Sequence, residues 1–163
     1  MQLRRDALPA LEAAGVGLAV VGIGSLESGE TFAERTEFPS SMIYVDESDE
    51  SETYRAAGTR NTKRKPDGKA DFEGIGSMWS KATNSALEER GKQDLDAITG
   101  SLFKPGIYKP LMPKGSTMAR SMEKTMVQGG SFVFEGDEVL FEHYDESSGA
   151  HASIDDLLKA ARA

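Results

Sequence analysis

The chain contains no cysteine. Disulfides, thiolate metal sites and any thiol nucleophile drawn from its own side chains are therefore excluded, and cysteine usage says nothing of its redox compartment. Long apolar runs are missing too. The longest covers residues 16–23 and is interrupted by glycine, against the roughly 18–20 apolar residues that a membrane span needs. No membrane association is expected, and no apolar signal-peptide core follows Arg4, Arg5 and Asp6. Positive charge is scarce: 19 Lys and Arg stand against 27 Asp and Glu, a net charge of −8. Phosphate neutralisation needs a cationic surface, so nucleic acid is not an expected partner.

What is present suits one domain over residues 1–163, long enough to bury a core. The charge is uneven. Residues 60–125 carry 13 Lys and Arg against 8 Asp and Glu, while the remainder is strongly acidic. This middle part, with its Pro and Gly breakers, reads as a loop-rich basic excursion over 59–117.

Leu3, Ala7, Ala10, Leu11 and Ala14 follow a helical stripe that ends at Gly15. Pro9 inside it predicts a kink or a late start. The apolar run 16–23 predicts a strand buried on both faces of a parallel sheet. Gly22, Gly24 and Ser25 turn the chain into a helix over 26–36, and a second strand over 42–45 ends at Asp46. Carboxylates favour helix N-termini, so the acidic run 46–52 is expected to open a helix carrying Tyr54 and Ala57 and stopping at Gly58. Residues 59–77 read as an exposed linker. A helix over 78–90 points Trp79, Ala82, Ala86 and Leu87 inward, and Met118, Met122 and Met126 form a methionine face packed on the core. Phe132, Phe134, Val139 and Phe141 flank Glu135-Gly136-Asp137-Glu138, a hairpin signal. Ser153 is an N-cap, with Asp155 and Asp156 in the first turn of a last helix that packs through Leu157, Leu158 and Ala161.

Several chemical constellations fail on inspection. Gly22 and Gly24 imitate a dinucleotide loop, but Glu27 stands where its third glycine belongs, and a carboxylate repels a pyrophosphate. His143 and His151, near Glu142, Asp145 and Glu146, match no zinc spacing and read as a surface pair. The run 46–52 lacks the glycine and terminal glutamate of an EF-hand, and there is no G-x-S-x-G elbow. Lys63-Arg64-Lys65 reads as a charged loop. No cofactor or metal site is expected.

Four segments carry a resemblance: VVGIGS at 20–25, FPSSMIYVDES at 38–48, QGGSFVF at 128–134 and EHYDESSGAH at 142–151. In this order the chain resembles the peroxiredoxin-like AhpC/TSA branch of the thioredoxin-fold superfamily, and within it the peroxiredoxin-like 2 group. The resemblance implies an α/β fold with a mixed sheet flanked by helices. It also implies a cytoplasmic or plastid antioxidant role: thiolate attack on a peroxide, followed by disulfide release to a dithiol donor protein. The family's first strand and its cysteine turn have no counterpart here, because residues 1–5 already read as the middle of the following helix. No residue inherits the catalytic role. Gln128, Gly129 and Gly130 mark the neighbourhood that faces the cysteine site in the family. The missing strand is central in such a sheet, between the strand at 16–23 and the strand at 131–134. Its loss leaves two apolar strands without their shared partner. Three resolutions stand open: the strands re-pair, a partner supplies a strand, or the sequence belongs to a longer protein. A non-catalytic binding or scaffold protein on the same fold is the alternative function.

Overall fold

The first helical segment follows from its apolar stripe. In the computed structural model, which describes residues 3–67, 71, 81, 85, 126–146 and 150–162, Ala7, Leu8 and Leu11 are buried. A π-helical turn, Leu3–Ala7, leads into α1, Leu8–Ala13. Pro9 lies in the first turn of α1 and has no N–H to give the carbonyls of the preceding turn, and it falls where the π-helical turn passes into the α-helix. Gly15 at φ +70 ends it in the left-handed region.

The first strand, β1, is only Val20–Ile23, shorter than the apolar run. It pairs in parallel with β2, Ile43–Asp46, from Val20↔Ile43 to Ile23↔Asp46. Residues 16–19 have no ladder partner among the described residues, and a strand without a ladder does not persist. Burial on both faces is likewise corrected, since Val21 is 36% exposed.

Between these strands runs α2, Leu26–Thr36, where Ser28 N–H donates to the Ser25 side chain at 3.2 Å. Gly29 presses the helix onto β2: a Cβ there would stand 2.6 Å from Val45 Cγ2. Glu37, at φ 51, closes the helix as Phe38 N–H donates to Ala33 O at 3.0 Å. Arg4 reaches this end, donating to Thr36 O at 3.0 Å and pairing with Glu37 at 2.7 Å. Ala33 of α2 and Phe38 just beyond it are buried as well, so the buried apolar residues come from the N-terminal helical segment and from the end of α2.

The acidic run opens α3, Glu52–Ala56, a shorter helix than its length suggested. Asp46 explains the start: its carboxylate accepts from Thr53 N–H at 2.8 Å and Ser48 N–H at 3.0 Å, and from the Ser48 hydroxyl. Gly58 at φ +74 ends the turn. The expected exposed linker is corrected at its beginning. Thr59 and Thr62 are buried, because Gln128 N–H donates to Arg60 O at 3.1 Å and Asn61 Nδ2 donates to Met126 O at 2.7 Å. The base of the basic excursion is thus clasped. Of the helix expected at 78–90 only Lys81 and Ser85 are described, and both are helical. Trp79, Ala82, Ala86 and Leu87, the rest of 59–117 beyond a few positions, and Met118 and Met122 lie outside the described residues.

The hairpin forms as expected. Strand β3, Gly130–Glu135, runs antiparallel to β4, Glu138–Tyr144, around a turn in which Gly136 has φ +60. The register shifts between Val133 and Phe134, so Leu140 is an extra residue with no Cα partner. Phe132 stacks on Phe134 at 6.2 Å and meets Tyr144 edge-on at 5.4 Å, which places all three on one face. The last helix, α4, spans Ile154–Ala160 with Ser153 as its side-chain cap. Leu157, Leu158 and Ala161 are half-buried, and α4 packs on β3, β4 and the N-terminal turn.

The parallel β1–α2–β2 unit, the antiparallel hairpin and the closing helix are the mixed α/β order of a thioredoxin-like fold. Among the described residues, β1 pairs only with β2 and β3 only with β4. No strand among the described residues bridges them. The side chain of Tyr54 substitutes at one point, its hydroxyl donating to Val21 O at 2.7 Å. No described helix is long and apolar enough to cross a membrane.

Candidate functional site

Gln128, Gly129 and Gly130 enter β3 and form the floor of the site. Gln128 is 4% exposed, and its Nε2 donates to Met126 O at 2.9 Å. Gly129 O accepts from Asp145 N–H at 3.0 Å. Both glycines are demanded by close approach. A Cβ on Gly129 would lie 3.0 Å from Asp145 Oδ2, and one on Gly130 would lie 2.8 Å from the backbone oxygen of His143.

The carboxylate against Gly129 organises its surroundings. The Asp145 side chain is 3% exposed, and His151 Nδ1 meets its Oδ2 at 2.5 Å. His143 Nε2 stands 3.5 Å from Oδ1, too far for a hydrogen bond, and bonds instead with Ala150 O at 2.8 Å. Oδ1 is buried with no hydrogen-bond partner among the described residues. The histidines do lie at the surface, His151 58% and His143 32% exposed, and the structure adds that they flank one buried carboxylate. His143 lies near the end of β4 and Asp145 just beyond it, two residues on, and His151 meets the same carboxylate from six residues further along the chain. The i, i+2 spacing of His143 and Asp145 is the signal in the sequence for this cluster.

Tyr54 joins the site from α3. Burial pushes its phenol pKa up, and the nearby carboxylates of Asp46 and Asp145 push the same way. At Asp46 burial alone raises the carboxyl pKa, but the hydrogen bonds from Ser48 and Thr53 outweigh it and hold the group below its ordinary value. The two buried carboxylates differ in their hydrogen bonding. Asp46 spends both oxygens on the turn into α3, whereas Asp145 keeps one oxygen unspent.

Elsewhere the chain fills its own anion-binding position. Glu47 Oε1 accepts from Leu26 N–H at 3.1 Å at the start of α2, which leaves a pyrophosphate less room and an adverse charge. Among the described residues no group of three or more His, Asp or Glu side chains is placed to hold a metal ion.

A thioredoxin-like α/β frame, a double-glycine entry to β3 and no thiol together define a cysteine-free protein of the thioredoxin-fold class. A family model described as AhpC/TSA antioxidant enzyme matches residues 2–147, and the chain belongs to that family. No curated protein and no solved structure matches it.

Proposed function

We propose that this chain is a member of the AhpC/TSA family that does not itself carry out thiol-dependent peroxide reduction. One observation carries the reading: a family match over residues 2–147 in a chain with no cysteine. The family reaction begins with a thiolate that attacks one oxygen of the peroxide; the O–O bond breaks, and water or an alcohol is released. The sulfur becomes a sulfenic acid that a dithiol donor returns to the thiol while itself becoming a disulfide. Neither histidine, serine nor carboxylate replaces that sulfur. A thiolate at this site has to come from outside these 163 residues, beside Gln128, Gly129 and Gly130, and a dithiol protein is then the partner that completes the cycle.

The test is peroxide consumption by the purified chain with dithiothreitol as donor. The expected rate equals the rate without protein. Saturable consumption that scales with protein concentration overturns the reading.

A non-catalytic binding role is the second reading. It is favoured by Phe134 and Val139, cross-strand partners at the hairpin tip that are 61% and 48% exposed. Large apolar side chains grouped on a surface are a feature of interaction sites. A monodisperse chain whose hairpin tip gains hydrogen-exchange protection with a partner supports this role, and a molten chain refutes it.

A further inference from the structure

We propose that Asp145 and His151 form an acid–base dyad whose outward Nε2 is a nucleophile toward electrophilic acyl groups. Activated acyl esters are its substrate class. This chemistry is separate from thiol chemistry and holds whether or not a thiolate reaches the site.

Four features of the site converge on it. The carboxylate is buried and the imidazole is open: the side chains are 3% and 58% exposed. The bond between them is made at Nδ1, at 2.5 Å. With Nδ1–H donating to the carboxylate, the lone pair belongs to Nε2, and a buried carboxylate of this kind fixes both tautomer and ring orientation. Gly129 makes room for the arrangement, since a Cβ would approach Oδ2 to 3.0 Å. Finally, Asp145 Oδ1 is buried and accepts no hydrogen bond among the described residues, with His143 Nε2 only as near as 3.5 Å. A merely structural carboxylate, like that of Asp46, uses both oxygens, and a half-satisfied one calls for a reason beyond packing.

The step balances without any co-reactant except water. The Nε2 lone pair forms a bond to the acyl carbon, and the carbon–oxygen bond to the leaving group breaks with its electron pair on that oxygen. The positive charge gained by the ring is shared through Nδ1–H with the Asp145 carboxylate. Water then cleaves the nitrogen–acyl bond and releases a carboxylic acid. The proton left on the ring passes to the departed oxygen anion, which leaves as the alcohol or phenol and restores the neutral imidazole. His151 is the catalytic residue and Asp145 a positioning residue.

The composition makes the test clean, because the chain has two histidines and no cysteine. The full chain is treated with diethyl pyrocarbonate, and carbethoxylation of each histidine is followed by absorbance and peptide mapping. His143, whose Nε2 is engaged by Ala150 O at 2.8 Å, is the internal reference. His151 is expected to react at least about tenfold faster than His143. The native chain is expected to show a far-downfield Nδ1 proton resonance that disappears in Asp145→Asn, together with most of the excess reactivity. Release of p-nitrophenol from p-nitrophenyl acetate is expected to drop to the buffer rate in His151→Gln. Equal reactivity of the two histidines overturns the proposal. So does a natively folded Asp145→Asn that reacts at the parental rate. Should Asp145→Asn not fold, the parental mapping and the His151→Gln ester assay decide, and unchanged p-nitrophenol release in the latter overturns it.

Discussion

Replacing Gly29 by alanine sets two effects of opposite sign against each other within α2. Alanine is favoured over glycine in a helix interior by about 1 kcal/mol. The new methyl, however, would lie 2.6 Å from Val45 Cγ2 and 3.8 Å from Ile43 Cγ2. Carbon atoms pack best at about 3.5–4.0 Å, so the first contact has to be relieved. Val45 is β-branched and stiff at χ1, and it is held in register opposite Gly22. Relief therefore means moving α2 away from β2, at an overpacking cost of about 1–3 kcal/mol. The net expectation is a loss of about 1 kcal/mol, or about 2–4 °C in Tm for a chain of this size. In a Val45→Ala background Cγ2 is gone, and the same Gly29→Ala change is expected to stabilise by up to about 1 kcal/mol. The four proteins of this cycle can be compared by urea denaturation, with a constant m-value confirming a common unfolded state. A stabilising Gly29→Ala in the parental chain, or the same effect in both backgrounds, refutes the helix–strand contact.

Three further outcomes follow from the same geometry. Tyr54→Phe removes the hydroxyl that donates to Val21 O and leaves a strand-edge carbonyl without that partner, for an expected loss of about 0.5–1.5 kcal/mol in thermal or urea melts; an unchanged midpoint counts against the edge-capping role. Because the folded-state pKa of Asp46 is depressed, the stability it confers is present above the unfolded carboxylate value of about 3.9 and lost as the pH falls through the lower folded value. An acid titration followed by circular dichroism should show that loss, and Asp46→Asn should lessen it; superimposable acid limbs refute the assignment. Gly130→Ala drives a methyl against the His143 backbone oxygen at 2.8 Å and the Phe132 ring at 3.0 Å, and is expected to cost about 1–3 kcal/mol, whereas Gly136→Ala at the open turn tests only the cost of φ +60. A Gly130→Ala protein as stable as its parent shows that β3 and β4 can separate without penalty there.

Local signals were legible wherever one short stretch of chain settles its own conformation. Ser25 and Ser153 cap the helices they precede, Gly15 and Gly58 end helices in the left-handed region, and the hairpin turns at Gly136. Each depends on neighbours within a few residues. Extent was less legible, because it depends on partners. The run 16–23 is apolar throughout, yet only Val20–Ile23 finds a ladder. The threonines at 59 and 62 looked like linker residues, and they are buried because residues 126–128 return to them from far along the chain. At the site, Gln128, Gly129 and Gly130 were singled out by resemblance, while the physical demand for glycine at 129 and 130 comes from Asp145 and His143, residues on the paired strand and just beyond it.

The sequence by itself determined the order of helices and strands, the family resemblance and the exclusion of thiol chemistry by this chain. These rest on side-chain type, local spacing and composition, which no fold can alter. Only the tertiary structure decided that β1 and β3 belong to separate ladders, that Tyr54 caps a strand edge, and that two histidines close on one buried carboxylate. Such outcomes depend on which backbone groups find partners and which side chains leave water together. Both are set by contacts between residues remote in the chain, where sequence spacing carries no distance.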